Sequence, residues 1–197
     1  MPREHSTTVI VPGLRGDVAD HWQTRLAAKL PHSVLVASFD RPKHDLAGRV
    51  ADLHQVISAA ERPVTLVAHS AGVLTTVHWA QQHDLPIRGA LLATPPDLTR
   101  PLPAIYPSLG EFAANGWLPI PLHRLPFPSI LAASTNDALG DVDNVRALAT
   151  AWGSKFIDIG PVAHLNPASG YGEWLGAEAL LDVLNGMDHA DEPRRSA

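Results

Sequence analysis

The chain contains no cysteine, which excludes disulfide bridges and thiolate metal sites. No apolar run approaches the roughly 18 residues that a membrane span needs. Basic residues are scattered and the formal net charge is −5. A nucleic-acid surface needs Lys and Arg gathered on one face, so neither nucleic acid nor membrane is expected as a partner. The first residues, MPREHSTTVIVPG, carry no apolar signal core, and a cytoplasmic location is the default expectation. What is present is a globular composition: 197 residues, 45% hydrophobic and 18% charged. That suits one domain with a sizeable core. The domain is expected over 1–186. The polar, aperiodic residues 187–197 read as a flexible tail.

Six short runs rich in Val, Ile, Leu or Ala read as strands: Thr7–Val11, Ser33–Phe39, Val64–Ala68, Gly89–Ala93, Ser129–Ala133 and Lys155–Ile159. Most are continuous rather than alternating, as strands buried on both faces of a parallel sheet should be. Helical spacing falls between them, over Asp20–Leu30, Leu46–Ala60, Ala71–His83, Val142–Trp152 and Glu173–Leu184. In the second of these, Leu46, Val50, Leu53, Val56 and Ile57 share one face. Alternation of strand and helix predicts an α/β fold with right-handed crossovers. Residues 95–128 break the pattern with nine of the 18 prolines, too many for a long regular element. A short helix is expected near Ser108–Asn115. The excursion reads as a partial lid or substrate wall; the alternative is a crossover that is merely long.

The heptapeptide VAHSAGV, Val67 to Val73, lies between a predicted strand and a predicted helix. That is the context of a nucleophile elbow, in which a serine occupies a tight strand-to-helix turn. The usual pattern is Gly-x-Ser-x-Gly, and here Ala68 stands for the first glycine. The position demands a small side chain, which alanine is. The competing reading makes Ser70 a helix N-cap. In such a fold the acid and the base follow the nucleophile in the chain, just after strand C-termini. Asp137 ends the run SILAASTND, and His164 lies in FIDIGPVAHLN. Both fall after the appropriate strands in the appropriate order. Asp97 is the competing acid. Asp141 and Asp143 begin the next helix, where a carboxylate suits the dipole. His69 reads as a packing or turn residue.

An oxyanion hole would take one N–H from Ala71 and a second from Leu14, in the loop PGLRGD that Gly13 allows to turn. Pocket candidates are Gly13, Trp22, His69, Leu98, Trp117 and Leu139. Arg15 either reaches the pocket mouth or is solvated. No cofactor or metal is required by this chemistry.

Together these pieces resemble the small α/β-hydrolases related to retinoblastoma-binding protein nine, a compact serine hydrolase family. The likeness spans Val9 to about Leu184. It rests on Pro12-Gly13, DHWQ from Asp20, HSAG from His69, STND from Ser134, HLN from His164 and SGYGEW from Ser169. It implies a compact α/β-hydrolase fold in three layers, with about six parallel strands in the order 2-1-3-4-5-6. It also implies Ser70 as nucleophile, His164 as base and Asp137 as acid. His21 and Trp22 look like family packing residues, and Trp174 like a brace for the His164 loop. Ala68 departs from the family pattern, as does Leu26, where an aromatic is common. The expected activity is hydrolysis of a small carboxylic ester. Amide or peptide cleavage by the same residues is the alternative. So is a protein-binding module on a hydrolase scaffold with an idle or vestigial triad, its surface the proline-rich excursion and an exposed Trp117, and its protein partner unidentified.

Overall fold

The computed structural model describes residues 6–16, 18–37, 42, 44–60 and 63–187. Its strands are β1 (Thr7–Val11), β2 (Ser33–Leu35), β3 (Val64–His69), β4 (Ile87–Ala93), β5 (Ser129–Ala133) and β6 (Lys155–Asp158). The helices are α1 (Trp22–Lys29), α2 (Leu46–Ala59), α3 (Ala71–Gln82), α4 (Leu109–Ala114), α5 (Val142–Trp152) and α6 (Gly176–Asn185). The strands form a single sheet in the order β2-β1-β3-β4-β5-β6, and every pairing is parallel. This is the expected α/β-hydrolase order.

Each inner strand is apolar on both faces because helices cover both. Successive side chains alternate across a sheet, and the core divides accordingly. Val9, Val11, Leu66, Ala68, Leu92 and Leu131 pack with α2, α3 and α5. Ile10, Val67, Leu91 and Ile130 pack with Trp22 and Leu26 of α1 and with Ala177, Leu181 and Leu184 of α6. The edge strands β2 and β6 are only partly buried, which is why their runs are shorter and more mixed.

Element boundaries depart furthest from the sequence expectation in the second strand and the last helix. The second strand stops at Leu35, and Phe39 lies outside the described residues. The last helix starts at Gly176 rather than Glu173. Trp174 is used instead as a packing residue, edge-on to Trp22 at 4.8 Å, and its carbonyl accepts from Ala177 N–H at 3.1 Å. Of the expected tail, 187–197, all but Met187 lies outside the described residues.

The proline-rich excursion folds down onto the core. Leu98, Phe112, Trp117, Leu125 and Phe127 all join the α2/α3/α5 side. Its helix, α4, opens with a capping box between Ser108 and Glu111, which satisfies two otherwise orphaned N–H groups. Trp117 is fully buried, in edge contact with Phe112 at 5.6 Å. Its indole N–H donates to the His44 carbonyl at 2.7 Å. Trp152 ties the far end, donating to the Pro121 carbonyl at 2.8 Å. Trp117 is therefore a core residue and offers no exposed docking surface.

Replacing Trp117 by alanine should cost about 3–5 kcal/mol, the range for emptying a large aromatic site. Urea unfolding of the variant checks this.

Candidate active site

Ser70 is the single residue between β3 and α3. Its backbone sits at φ 56°, ψ −126°, a region that a non-glycine residue occupies only when its surroundings force it. Its side chain makes no capping bond to the helix, so the N-cap reading does not hold. Instead Ser70 N–H donates to the Ala93 carbonyl at 2.9 Å, and its own carbonyl accepts from Val73 at 2.9 Å. The turn is held by its neighbours on both sides. A Cβ on Gly72 would collide with the Val11 carbonyl oxygen and lie 2.8 Å from that of Pro12. Position 72 therefore admits glycine alone. Ala68 is fully buried and registers between Val11 on β1 and Leu92 on β4. Its methyl is accommodated as core.

The hydroxyl of Ser70 meets His164 Nε2 at 2.9 Å. On the other side of the ring, His164 Nδ1 meets Asp137 Oδ2 at 2.8 Å. An ionised carboxylate only accepts, so Nδ1 carries the proton and Nε2 is free to accept from the serine. The second carboxylate oxygen, Oδ1, accepts the Leu139 N–H at 2.8 Å. All three side chains are buried. Such a chain can lift a proton from a hydroxyl while keeping the imidazole in one orientation.

The loop that carries His164 is clamped. Ala163 and Leu165, on either side, both have φ 47°. Ser134 Oγ accepts the Val162 N–H at 3.2 Å and donates to Asn136 Oδ1 at 3.0 Å. That oxygen also accepts the Ala163 N–H at 2.7 Å. Thus Ser134 and Asn136, from the loop that supplies Asp137, fix the backbone that supplies the histidine. From below, His69 Nε2–H donates to the His164 carbonyl at 2.9 Å. Burial pushes the His69 pKa well below its ordinary value, and neighbouring His164 and His21 push the same way. His69 is thereby a neutral donor, not a base. It is backed by Trp22, edge-on at 6.0 Å, and through Trp22 by Trp174. The bracing by Trp174 is indirect.

Asp97 is engaged elsewhere. It accepts from Thr99 N–H at 2.9 Å, Thr99 Oγ at 2.6 Å and Asn144 Nδ2 at 2.8 Å. Burial alone would raise its pKa. The bonds from Thr99 and Asn144 and the charge of Arg100 outweigh this and hold it below the ordinary carboxylate value. Its N–H donates to the Leu139 carbonyl at 2.7 Å, which steadies the loop after Asp137.

Ser70 and His164 open onto a cavity of about 100 Å³. Gly13, Leu14 and His69 line it, and Arg15 does so at its edge. Trp22, Leu98, Trp117 and Leu139 do not; all four are buried. Sequence reasoning missed Gly16, Val18, His21, Tyr106 and the Asn166–Ala168 turn, which supply the remaining wall. Within the excursion only Tyr106 reaches the cavity. Proline spacing shows where a chain bends but not toward what, so this was not legible. Among the described residues, neither Leu14 N–H nor Ala71 N–H donates to a protein acceptor. Gly13 brings the first loop close: a Cβ there would lie 3.2 Å from Ser70 Cβ.

A serine hydrolase family profile matches residues 8–183. The chain belongs to the serine hydrolase family. Among solved structures, this serine hydrolase is similar to a protein from Pectobacterium atrosepticum named as a YdeN-like hydrolase. The two are 28% identical, with a TM-score of 0.80 over 93% of this chain and 92% of that one. The ydeN gene product of B. subtilis shares the fold at 15% identity and a TM-score of 0.69, covering 92% and 99% of the two chains. So does a lipase-esterase related protein from Clostridium acetobutylicum, at 10% identity and a TM-score of 0.70, covering 92% and 95%. No curated protein matches the chain. Among the described residues, no helix of this serine hydrolase is long and apolar enough to cross a membrane.

Two outcomes follow from the turn and its histidine support. Gly72→Ala should destabilise by about 3 kcal/mol or more, because backbone must move, whereas Ala68→Gly should cost about 1 kcal/mol. Urea titration of both variants measures the difference. His69 and His78 are both held below their ordinary value of 6.5, mainly by burial. The unfolded chain then binds more protons than the folded one as pH falls below about 6.5, so stability drops on that side. Melting temperatures at pH 7.5 and 5.5 should differ less in His69→Gln than in the wild type.

Proposed function

We propose that the protein hydrolyses a small carboxylic ester through an acyl-enzyme on Ser70. The observation that carries this is the unbroken chain from Ser70 Oγ to His164 to Asp137, built on a positive-φ turn that faces a cavity. In the first step Ser70 Oγ attacks the ester carbonyl carbon while His164 Nε2 takes its proton. Asp137 holds the Nδ1–H tautomer and stabilises the imidazolium. The N–H groups of Leu14 and Ala71 receive the negative charge on the former carbonyl oxygen. His164 then protonates the departing alcohol. In the second step it draws a proton from water, which attacks the acyl carbon, and passes that proton to Ser70 Oγ as the acyl–Oγ bond breaks.

A cavity of about 100 Å³ favours a short acyl group over a polymer. Leu14, Val18 and Tyr106 give it apolar walls, which suit an alkyl chain. The reading as a binding module placed its surface on the proline-rich excursion and an exposed Trp117; Trp117 is buried and supplies none of that surface.

Wild type should turn over short p-nitrophenyl esters and be labelled by a fluorophosphonate at Ser70. Ser70→Ala should lose both. Asp137→Asn should lower kcat by about 10³–10⁴-fold, since it admits the wrong histidine tautomer. Turnover that survives Ser70→Ala would contradict the proposal. A panel of acyl lengths and matching amides fixes the preferred substrate.

A further inference from the structure

Arg49 stands on the inner face of α2, where its guanidinium is buried. Nη2 donates to the Pro12 carbonyl at 2.6 Å and to the Gly13 carbonyl at 3.2 Å. Nε donates to Thr75 Oγ1 at 3.3 Å. Thr75 in turn donates to the Ala71 carbonyl at 3.0 Å. One side chain is thus bonded to the loop after β1 and, through one hydroxyl, to the first residue of α3. Those two segments carry Leu14 and Ala71.

The peptide plane gives this contact a consequence. In a trans peptide the carbonyl and the following N–H point in opposite directions. The Gly13 carbonyl is turned to Arg49, so the Leu14 N–H is turned away from it. Ser70 lies beside Gly13, and Leu14 and Ser70 line the same cavity. A buried cation costs free energy unless acceptors surround it, and here they are the Pro12 and Gly13 carbonyls, the second of which also accepts the Gly16 N–H at 3.1 Å. Burial lowers its pKa to about 10, which leaves it charged at neutral pH.

We infer that Arg49 is the positioning residue of the oxyanion hole, holding the 13–14 peptide so that the Leu14 N–H faces the developing oxyanion. This rests on the acyl-transfer reading above. Arg49 touches no reacting atom. Its effect is on the transition state and not on substrate binding.

The test compares wild type, Arg49→Met and Thr75→Val on a short p-nitrophenyl ester and its thionoester. Arg49→Met should lower kcat about 10²-fold, comparable to losing one oxyanion-hole donor, with KM within about threefold. The ester-to-thionoester rate ratio should fall about tenfold, since sulfur depends less on the hole. Thr75→Val, which keeps the shape and removes one link, should show the same pattern at about three- to tenfold in kcat. It supplies the answer if Arg49→Met does not fold. In parallel, 15N–1H residual dipolar couplings report the orientation of the Leu14 N–H without any turnover. A reoriented Leu14 N–H in the variants supports the proposal, and an unchanged one overturns it. So does an unchanged kcat and rate ratio. Absence of Ser70-dependent turnover in wild type would instead fault the acyl-transfer reading, and the couplings would still decide the role of Arg49.

Discussion

Gly72 lies against the carbonyl oxygens of Val11 and Pro12 so closely that no side chain fits between them. That contact lets α3 begin directly beside the end of β1, one residue after a serine at φ 56°. Without it the turn would open and Ser70 would lose the conformation that points it away from both strand and helix. It also brings the loop after β1 within reach of the serine, where Gly13 removes the remaining bulk. Backbone strain at one residue is thus sustained by close packing of two others, which belongs to the protein's rigid core.

The rest of the site is tied to that turn by hydrogen bonds that each use a group already needed elsewhere. Ser134 and Asn136 come from the loop that supplies Asp137, yet they fix the backbone around His164. His69 belongs to the elbow, yet it holds the His164 carbonyl. Arg49 belongs to α2, yet it holds the loop after β1. Each catalytic candidate sits on a different loop, and each loop is bound to another. Burial makes these bonds costly to leave unmade, which favours one arrangement of the site over many.

Much of this was legible in the sequence. Continuous apolar runs marked the strands because both faces of the sheet are covered. Ser70, Asp137 and His164 were legible because each follows a strand in chain order. Of the pocket walls, Gly13, Leu14 and His69 were legible and the rest were not. Leu98 and Trp117 looked like wall residues since they lie in an irregular segment, but a tryptophan in such a segment is as free to turn inward as outward. Here Trp117 gains a large buried contact and a partner for its indole N–H at His44. Tyr106 carried no comparable signal. Arg49 did carry one: it falls three residues after Leu46, on the apolar face of α2 with Val50, Leu53 and Ile57. A charge at that spacing asks for a buried acceptor, and only the fold supplies its identity.

The central claim is that Ser70 forms a covalent acyl intermediate. Intact-protein mass spectrometry after rapid acid quench with a short p-nitrophenyl ester tests it most directly. The account predicts one acyl adduct per chain, mapping to the peptide that contains Ser70 and decaying at the rate of turnover. Turnover with no adduct, or an adduct on any other residue, would contradict it.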